Sequence, residues 1–183
     1  MGTRGYIAKQ VGPDAYLTIY SCIENYPEHA GKLLLENYSS PELVDKLVAL
    51  GDIWRLEKNL DPNPDLQHDS EKQQEDVILS FTRDAGESNC QAEMMTLEEL
   101  DDTSTSIQFV YVFTLDNNWK YFAPGQAALG FRDIQADLDH PENIPEREHP
   151  LFEKLQVDLL GELDEESPEE TEEPVQGPDM KMT

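Results

Sequence analysis

Bases are scarce in this chain. Thirteen Lys and Arg stand against 39 Asp and Glu, for a formal net charge of −26 over 183 residues. Proteins that hold DNA or RNA directly draw affinity from Lys and Arg neutralising phosphates, so this chain would repel nucleic acid, and an anionic membrane surface for the same reason. Cysteine is scarcer still. Cys22 and Cys90 are too few and too isolated for a disulfide framework or a zinc site. Long apolar runs are missing: nothing approaches the ~18 residues of a membrane span, and the N-terminus has no signal-peptide core. The opening Met-Gly would suit myristoylation only with Ser or Thr at the sixth position, where Tyr6 stands. These absences predict a soluble cytoplasmic protein with reduced thiols. Catalytic signatures are missing too, with no P-loop, Gly-x-Gly-x-x-Gly, Gly-x-Ser-x-Gly, His-Glu-x-x-His or Cys-x-x-Cys. The sequence therefore predicts no catalytic residue, no metal and no cofactor.

What is present is acid, and its distribution matters. Residues 161–183 hold nine carboxylates and one base, three prolines and few apolar side chains, for a charge of −8. Such a segment cannot offset its own ordering entropy and reads as a disordered tail. Residues 1–160 carry the remaining −18 and read as a single domain. A body of that size can bury roughly 70% of its unfolded-chain surface without a metal or disulfide staple.

The pattern along the body is α+β. Residues 5–11 and 16–22 are β-type runs around Gly12-Pro13-Asp14-Ala15, an opening hairpin with Tyr16, Thr18 and Tyr20 on one face and Leu17, Ile19 and Ser21 on the other. Pro27 opens a helix through Leu33, Leu34 and Leu35 toward Tyr38. Ser40 and Pro41 open a second, with an apolar stripe at Leu43, Val44, Leu47, Val48 and Leu50, and Gly51 just past its end. Residues 52–60 read as a short third helix, 61–75 as a polar loop, 76–83 as a strand and 85–95 as a loop. Thr96 and Glu99 form a capping box for one helical turn. Residues 107–115 make the strongest strand, turned by Asp116-Asn117-Asn118 into 119–123. Residues 151–160 have Phe152, Leu155 and Leu159 at helical spacing. Two hairpins plus one strand predict an antiparallel sheet of about five strands packed on two or three helices.

Few side chains point to chemistry. Asp61, Asn63 and Asp65 imitate the start of a calcium loop, but Leu66 replaces the required glycine and Lys72 the final glutamate. Asp137, Asp139 and Glu142 suit a solvated acidic loop as well as a weak cation. Cys22 and His29 could be paired as nucleophile and base, although a strand-end thiol packed into a core is inert. A small-ligand or enzymatic reading would place a pocket between the first hairpin and the 27–38 helix, lined by Tyr20, Tyr26, Glu28 and His29.

The body's carboxylates give the leading reading. Glu71, Glu75, Asp76, Glu98, Glu99, Asp101, Asp102, Asp116, Asp133, Asp137 and Asp139 have few bases nearby in sequence. On a rigid body they could imitate duplex DNA, which carries one charge per ~1.7 Å of axis, and steer onto basic nucleic-acid-binding proteins. Acidity that merely keeps the chain soluble would scatter over all faces.

Thr-Arg-Gly-Tyr-Ile-Ala-Lys-Gln (3–10), Tyr-Leu-Thr-Ile-Tyr (16–20), Tyr-Pro-Glu-His-Ala-Gly (26–31) and Leu-Val-Ala-Leu-Gly-Asp-Ile (47–53) resemble a family of small uncharacterised proteins carried by bacterial phages, prophages and plasmids. The likeness covers the N-terminal third and, more loosely, the 111–122 hairpin. Many relatives read Cys-His-Trp-Asp-Gly-Tyr-Pro-Glu where this chain has Ser21-Cys22-Ile23-Glu24-Asn25-Tyr26-Pro27-Glu28, so the family's His and Trp are missing. The resemblance implies an accessory protein of a mobile element, acting in the bacterial host cytoplasm, and implies no activity. Combined with the charge, the expectation is a non-enzymatic DNA-mimic-like inhibitor of a host defence protein, of the anti-restriction or anti-CRISPR type.

Overall fold

The opening hairpin forms where its turn residues place it. In the computed structural model of the protein, which describes residues 2–146, β1 (Gly5–Gly12) pairs antiparallel with β2 (Ala15–Ser21). The described residues fall within one unit, Met1–His149. The helix expected over 151–160 and the acidic tail expected over 161–183 lie outside the described residues. After β2 the chain turns on Asn25, whose buried side-chain amide donates to the carbonyls of Thr3 (2.8 Å), Ser21 (2.9 Å) and Ile23 (3.1 Å). Pro27 then opens a π-helical turn, Pro27–Gly31, which runs into α1 (Lys32–Asn37). Helix α2 (Pro41–Ala49) starts as expected, with Ser40 Oγ accepting from Leu43 N at 3.3 Å. Gly51 follows it with φ +73°, a conformation that suits glycine.

The remaining elements are β3 (Glu93–Met95), α3 (Leu97–Leu100), β4 (Phe109–Phe113), β5 (Trp119–Phe122), β6 (Arg132–Asp133) and α4 (Ile134–Asp139). They complete a six-stranded sheet in the order β3-β2-β1-β4-β5-β6. The α+β class holds, with two differences in detail. There are six strands rather than about five, and the sheet is mixed rather than antiparallel, because β1 and β4 run parallel, Ile7 opposite Tyr111. A parallel pair needs a long crossover, and residues 13–108 supply it.

Both sheet faces are covered, which explains why all of β4 is buried. On one face Ile7, Ile19, Phe109, Tyr111, Phe113 and Tyr121 meet Leu34, Val44, Leu47 and Ile134 from the helices. On the other Ala8, Tyr16, Val110, Val112 and Phe122 meet Leu100 and Ile107, with Leu97, Ala127 and Phe131 packed at the margin. The alternation expected for β2 is borne out: Ile19 belongs to the helix face and Tyr16 to the other.

Residues 52–92 depart most from expectation. The helix expected over 52–60 does not form, because its backbone donors reach sideways: Asp52 N to Cys90 O, Ile53 N to Tyr20 O and Trp54 N to Leu79 O. The strand expected over 76–83 makes only isolated bridges, Val77 with Asn59 and Ser80 with Ile53. Val77, Ile78 and Ser80 are buried and Leu79 and Phe81 half-buried, but side chains take the backbone partners. Ser80 N donates to Asp84 (2.7 Å), and Arg83 donates to the carbonyls of Leu60 (2.8 Å) and Ile78 (2.9 Å) and to both Asp84 oxygens. Burial raises the Asp84 pKa, but Arg83 and Ser80 outweigh it and hold the carboxyl below its ordinary value. His68 completes the knot: Nδ1 accepts from Gln74 N at 3.0 Å, and Nε2 lies 3.0 Å from Ile78 O and 3.3 Å from Asp84. The loop expected over 85–95 ends in β3, since Glu93, Met94 and Met95 pair with the edge of β2.

Candidate functional site

From Glu93 to Trp119 the sequence contains six carboxylates and no Lys, Arg or His. The fold lays much of this stretch over the sheet face opposite the helices. Helix α3 starts with the expected capping box, Glu99 N to Thr96 Oγ1 at 3.2 Å and Thr96 N to Glu99 at 2.8 Å. Asp14, from the β1–β2 turn, accepts from Leu97 N at 2.8 Å and fixes the helix to the hairpin. At the far end Asp101 accepts from Gly125 N (2.6 Å) and Ala127 N (3.1 Å), and Asp102 accepts from Ser104 N (2.8 Å). These bonds hold the carboxylates by local backbone geometry.

Several carboxylates act on the tyrosines of this face. The Tyr6 phenol is pushed up first by burial and then by Glu93, Asp52 and Asp102, so three carboxylates converge on it. Asp52 accepts from Tyr20 N at 2.8 Å, yet burial and Glu93 raise its carboxyl above the ordinary value. Tyr20, edge-on to Tyr6 at 6.5 Å, is pushed up to about 12 by burial and by Cys22. On this side Arg4 lies near Tyr20, and Lys120 is held by Asp133 at 3.0 Å.

The eleven carboxylates expected to form an acidic surface do not all gather. Glu98, Glu99, Asp101 and Asp102 lie in the cover of this face, and Asp133 projects beside them from the edge strand opposite Lys120. Asp133 caps α4 through Ala136 N (2.8 Å), which with Lys120 lowers its pKa. Asp116 sits in the β4–β5 turn, its pKa lowered by the Thr114 hydroxyl and Asn118. Glu71, Glu75 and Asp76 belong to the 52–92 excursion, whose apolar residues pack with the helix-face core. Asp139, on α4, accepts from Gln135 at 3.0 Å. Asp137 is buried: it accepts from Tyr121 Oη (2.6 Å) and from Arg132 Nε (2.6 Å) and Nη2 (3.2 Å). Its place is structural, because α4 turns it inward beneath β5. Sequence reasoning omitted Asp14, Asp52 and Glu93 from the surface. The cation-free run from residue 93 was the signal for Glu93, whereas Asp14 and Asp52 join only through the fold.

The residues of the alternative pocket are divided by the sheet. Tyr20 packs at the margin of the α3-covered face, while Ala30 and Leu33, just beyond His29, enter the helix-face core. Tyr26 and Glu28 are exposed, and His29 Nε2 lies 3.2 Å from Leu56 O and 3.9 Å from Glu24. Cys22 keeps company with Tyr20 rather than with His29. Two clefts of about 280 and 290 Å³ lie elsewhere, one beside Phe131 and Arg132, the other between Tyr38 and Lys58. In the loop resembling a calcium site, Asn63 Oδ1 accepts from Asp65 N at 3.0 Å. Among the described residues no group of three or more His, Cys, Asp or Glu is placed to hold a metal, and no helix is long and apolar enough to cross a membrane. Comparison with family models, with curated proteins and with solved structures gave no match.

Proposed function

We propose that the protein is a non-enzymatic accessory protein of a phage or plasmid that acts in the bacterial cytoplasm, where it binds and inhibits a basic nucleic-acid-binding defence protein, carboxylates standing in for phosphates. The observation that carries this reading is the cation-free stretch 93–119, of which residues 97–107 cover one sheet face, with Glu93, Asp52 and Asp102 all raising the Tyr6 phenol. Fixed carboxylates on a packed sheet lose little side-chain entropy on binding and let the partner's Lys and Arg release the counterions they would release to DNA.

The test begins with capture of partners from a bacterial lysate on the full-length protein, followed by affinity measurement of the retained protein at two salt concentrations. A mimic contacted by several Lys and Arg should weaken by more than about tenfold between 50 and 200 mM salt, and duplex DNA should compete. Glu93→Gln, Glu98→Gln and Asp102→Asn together should weaken the complex further, with an unchanged fold. Weakening of less than about threefold over that salt range would overturn the reading.

A further inference from the structure

Cations are few in this chain, and about half of the described ones are paired. Among the described residues Lys9, Arg55, Arg83, Lys120 and Arg132 each hold a carboxylate. Arg4, Lys32, Lys46, Lys58 and Lys72 have no carboxylate within ion-pair distance among the described residues, and two of them, Lys46 and Lys58, line the same cleft of about 290 Å³. What sets Lys46 and Lys58 apart from the other unpaired cations is that they share one cleft. Lys46 also stands in the last turn of α2, where a cation suits the helix dipole. Lys58 lies in no helix and has no such reason.

The cleft has the layout of a small ligand site. Its floor is apolar: Tyr38 and Leu60 are buried and Leu43 is half-buried. The floor is also fixed. Tyr38 Oη donates to Glu57 O at 2.6 Å, and Trp119 Nε1 donates to Tyr38 O at 2.7 Å. Asn59 is anchored on both sides, its N–H donating to Asp76 O at 2.9 Å and its carbonyl accepting from Ile78 N at 2.9 Å. The rim therefore carries two free ammonium groups on a backbone that need not rearrange, which lowers the ordering cost of binding. Asp61 stands at the rim with its carboxylate directed to solvent, 84% exposed and 3.9 Å from Arg83. The volume is near the lower limit of small-molecule sites.

We propose that this cleft binds a small organic anion, an apolar body lying on Tyr38, Leu43 and Leu60 with its phosphate or carboxylate held by Lys46 and Lys58. The site is independent of the acidic face, and its failure would leave the reading of that face untouched. The probes are phenyl phosphate, benzoate, the neutral analogue benzyl alcohol and inorganic phosphate. They are titrated into the full-length protein and followed by backbone amide NMR shifts. Phenyl phosphate or benzoate should give saturable shifts at Leu43, Lys46 and residues 58–61 with a dissociation constant of about 1 mM. Lys46→Gln and Lys58→Gln should each weaken binding about fivefold or more, the effect of losing one charge-assisted hydrogen bond. Lys72→Gln, outside the cleft, should change nothing. Both cleft lysines are exposed, so the variant spectra should otherwise superimpose on the parent. Whichever of the two aromatic anions binds more tightly identifies the head group. Absence of saturation at about 20 mM for both would overturn the proposal. So would binding unmoved by the two substitutions, equal binding of benzyl alcohol, or inorganic phosphate binding as tightly as phenyl phosphate.

Discussion

Replacing Asp137 should unfold the protein more easily rather than impair a surface. The side chain is 9% exposed and makes three charge-assisted or phenolic hydrogen bonds, to Tyr121 Oη and to two nitrogens of Arg132. Asp137→Ala leaves the Tyr121 hydroxyl, in a residue that is fully buried, without its acceptor, at a cost of about 1–3 kcal/mol. Breaking a fully buried ion pair costs about 3–5 kcal/mol. Arg132 is 34% exposed and can rehydrate, and its Nη2 keeps Asn143 O at 2.7 Å, so its share falls toward the surface-pair value of about 0.5–1 kcal/mol. The expected loss for Asp137→Ala is about 3 kcal/mol, and for Asp137→Asn, which retains shape and one acceptor, about half of that. Urea unfolding followed by circular dichroism measures both. The midpoint should fall with no change in slope, because the surface exposed on unfolding is the same. A loss below about 0.5 kcal/mol for Asp137→Ala, the range of an ordinary surface substitution, would refute the placement of this carboxylate and return it to the acidic surface.

Two further outcomes follow from local geometry. A Cβ on Gly51 would lie 2.2 Å from Cys90 O, which is pinned by Asp52 N at 2.7 Å, while Gly86 has a similar φ of +67° and open space around it. Gly51→Ala should therefore cost at least about 2–3 kcal/mol in chemical denaturation and Gly86→Ala about 1 kcal/mol, the backbone strain alone, and equal losses would show that the contact is not tight. The phenols of Tyr38, Tyr111 and Tyr121 are all pushed above their ordinary value, first by burial and then by Glu57, Tyr121 and Asp137 respectively. Above about pH 10 the unfolded chain sheds these protons and the fold keeps them, so stability falls with rising pH by about 1.4 kcal/mol per unit for each phenol. Unfolding and tyrosinate absorbance should rise together in alkaline solution, and titration of all seven tyrosines near pH 10 in an intact fold would contradict this.

Local signals carried the elements they could specify. Ser40-Pro41, Thr96 with Glu99, and the turn residues at 12–15 and 116–118 each satisfy their own backbone partners within a few positions, so the α2 start, the α3 start and both hairpins were legible. The segment 52–92 was not. Its apolar spacing is real, and Ile53, Leu56 and Ile78 are buried, but its backbone bonds go to Tyr20, Cys90 and the His68–Asp84–Arg83 knot, partners that no sequence window contains. Asp137 was misplaced for the same reason, since an acid read in a solvated loop counts as exposed until β5 brings Tyr121 and β6 brings Arg132 to it.

The sequence by itself determined the sign and amount of charge, the scarcity of cations, the α+β class and the cation-free run from residue 93, because these are properties of composition and of local backbone satisfaction. Only the tertiary structure decided which carboxylates share a face. The parallel pairing of β1 with β4 sends the chain out through the 52–92 excursion and returns it over the second face of the sheet. That crossover brings Asp52, Glu93 and Asp102 to act on Tyr6, while α4 turns Asp137 into the interior. It also leaves Lys46 and Lys58 on the opposite side, beside one cleft whose rim Asp61 shares.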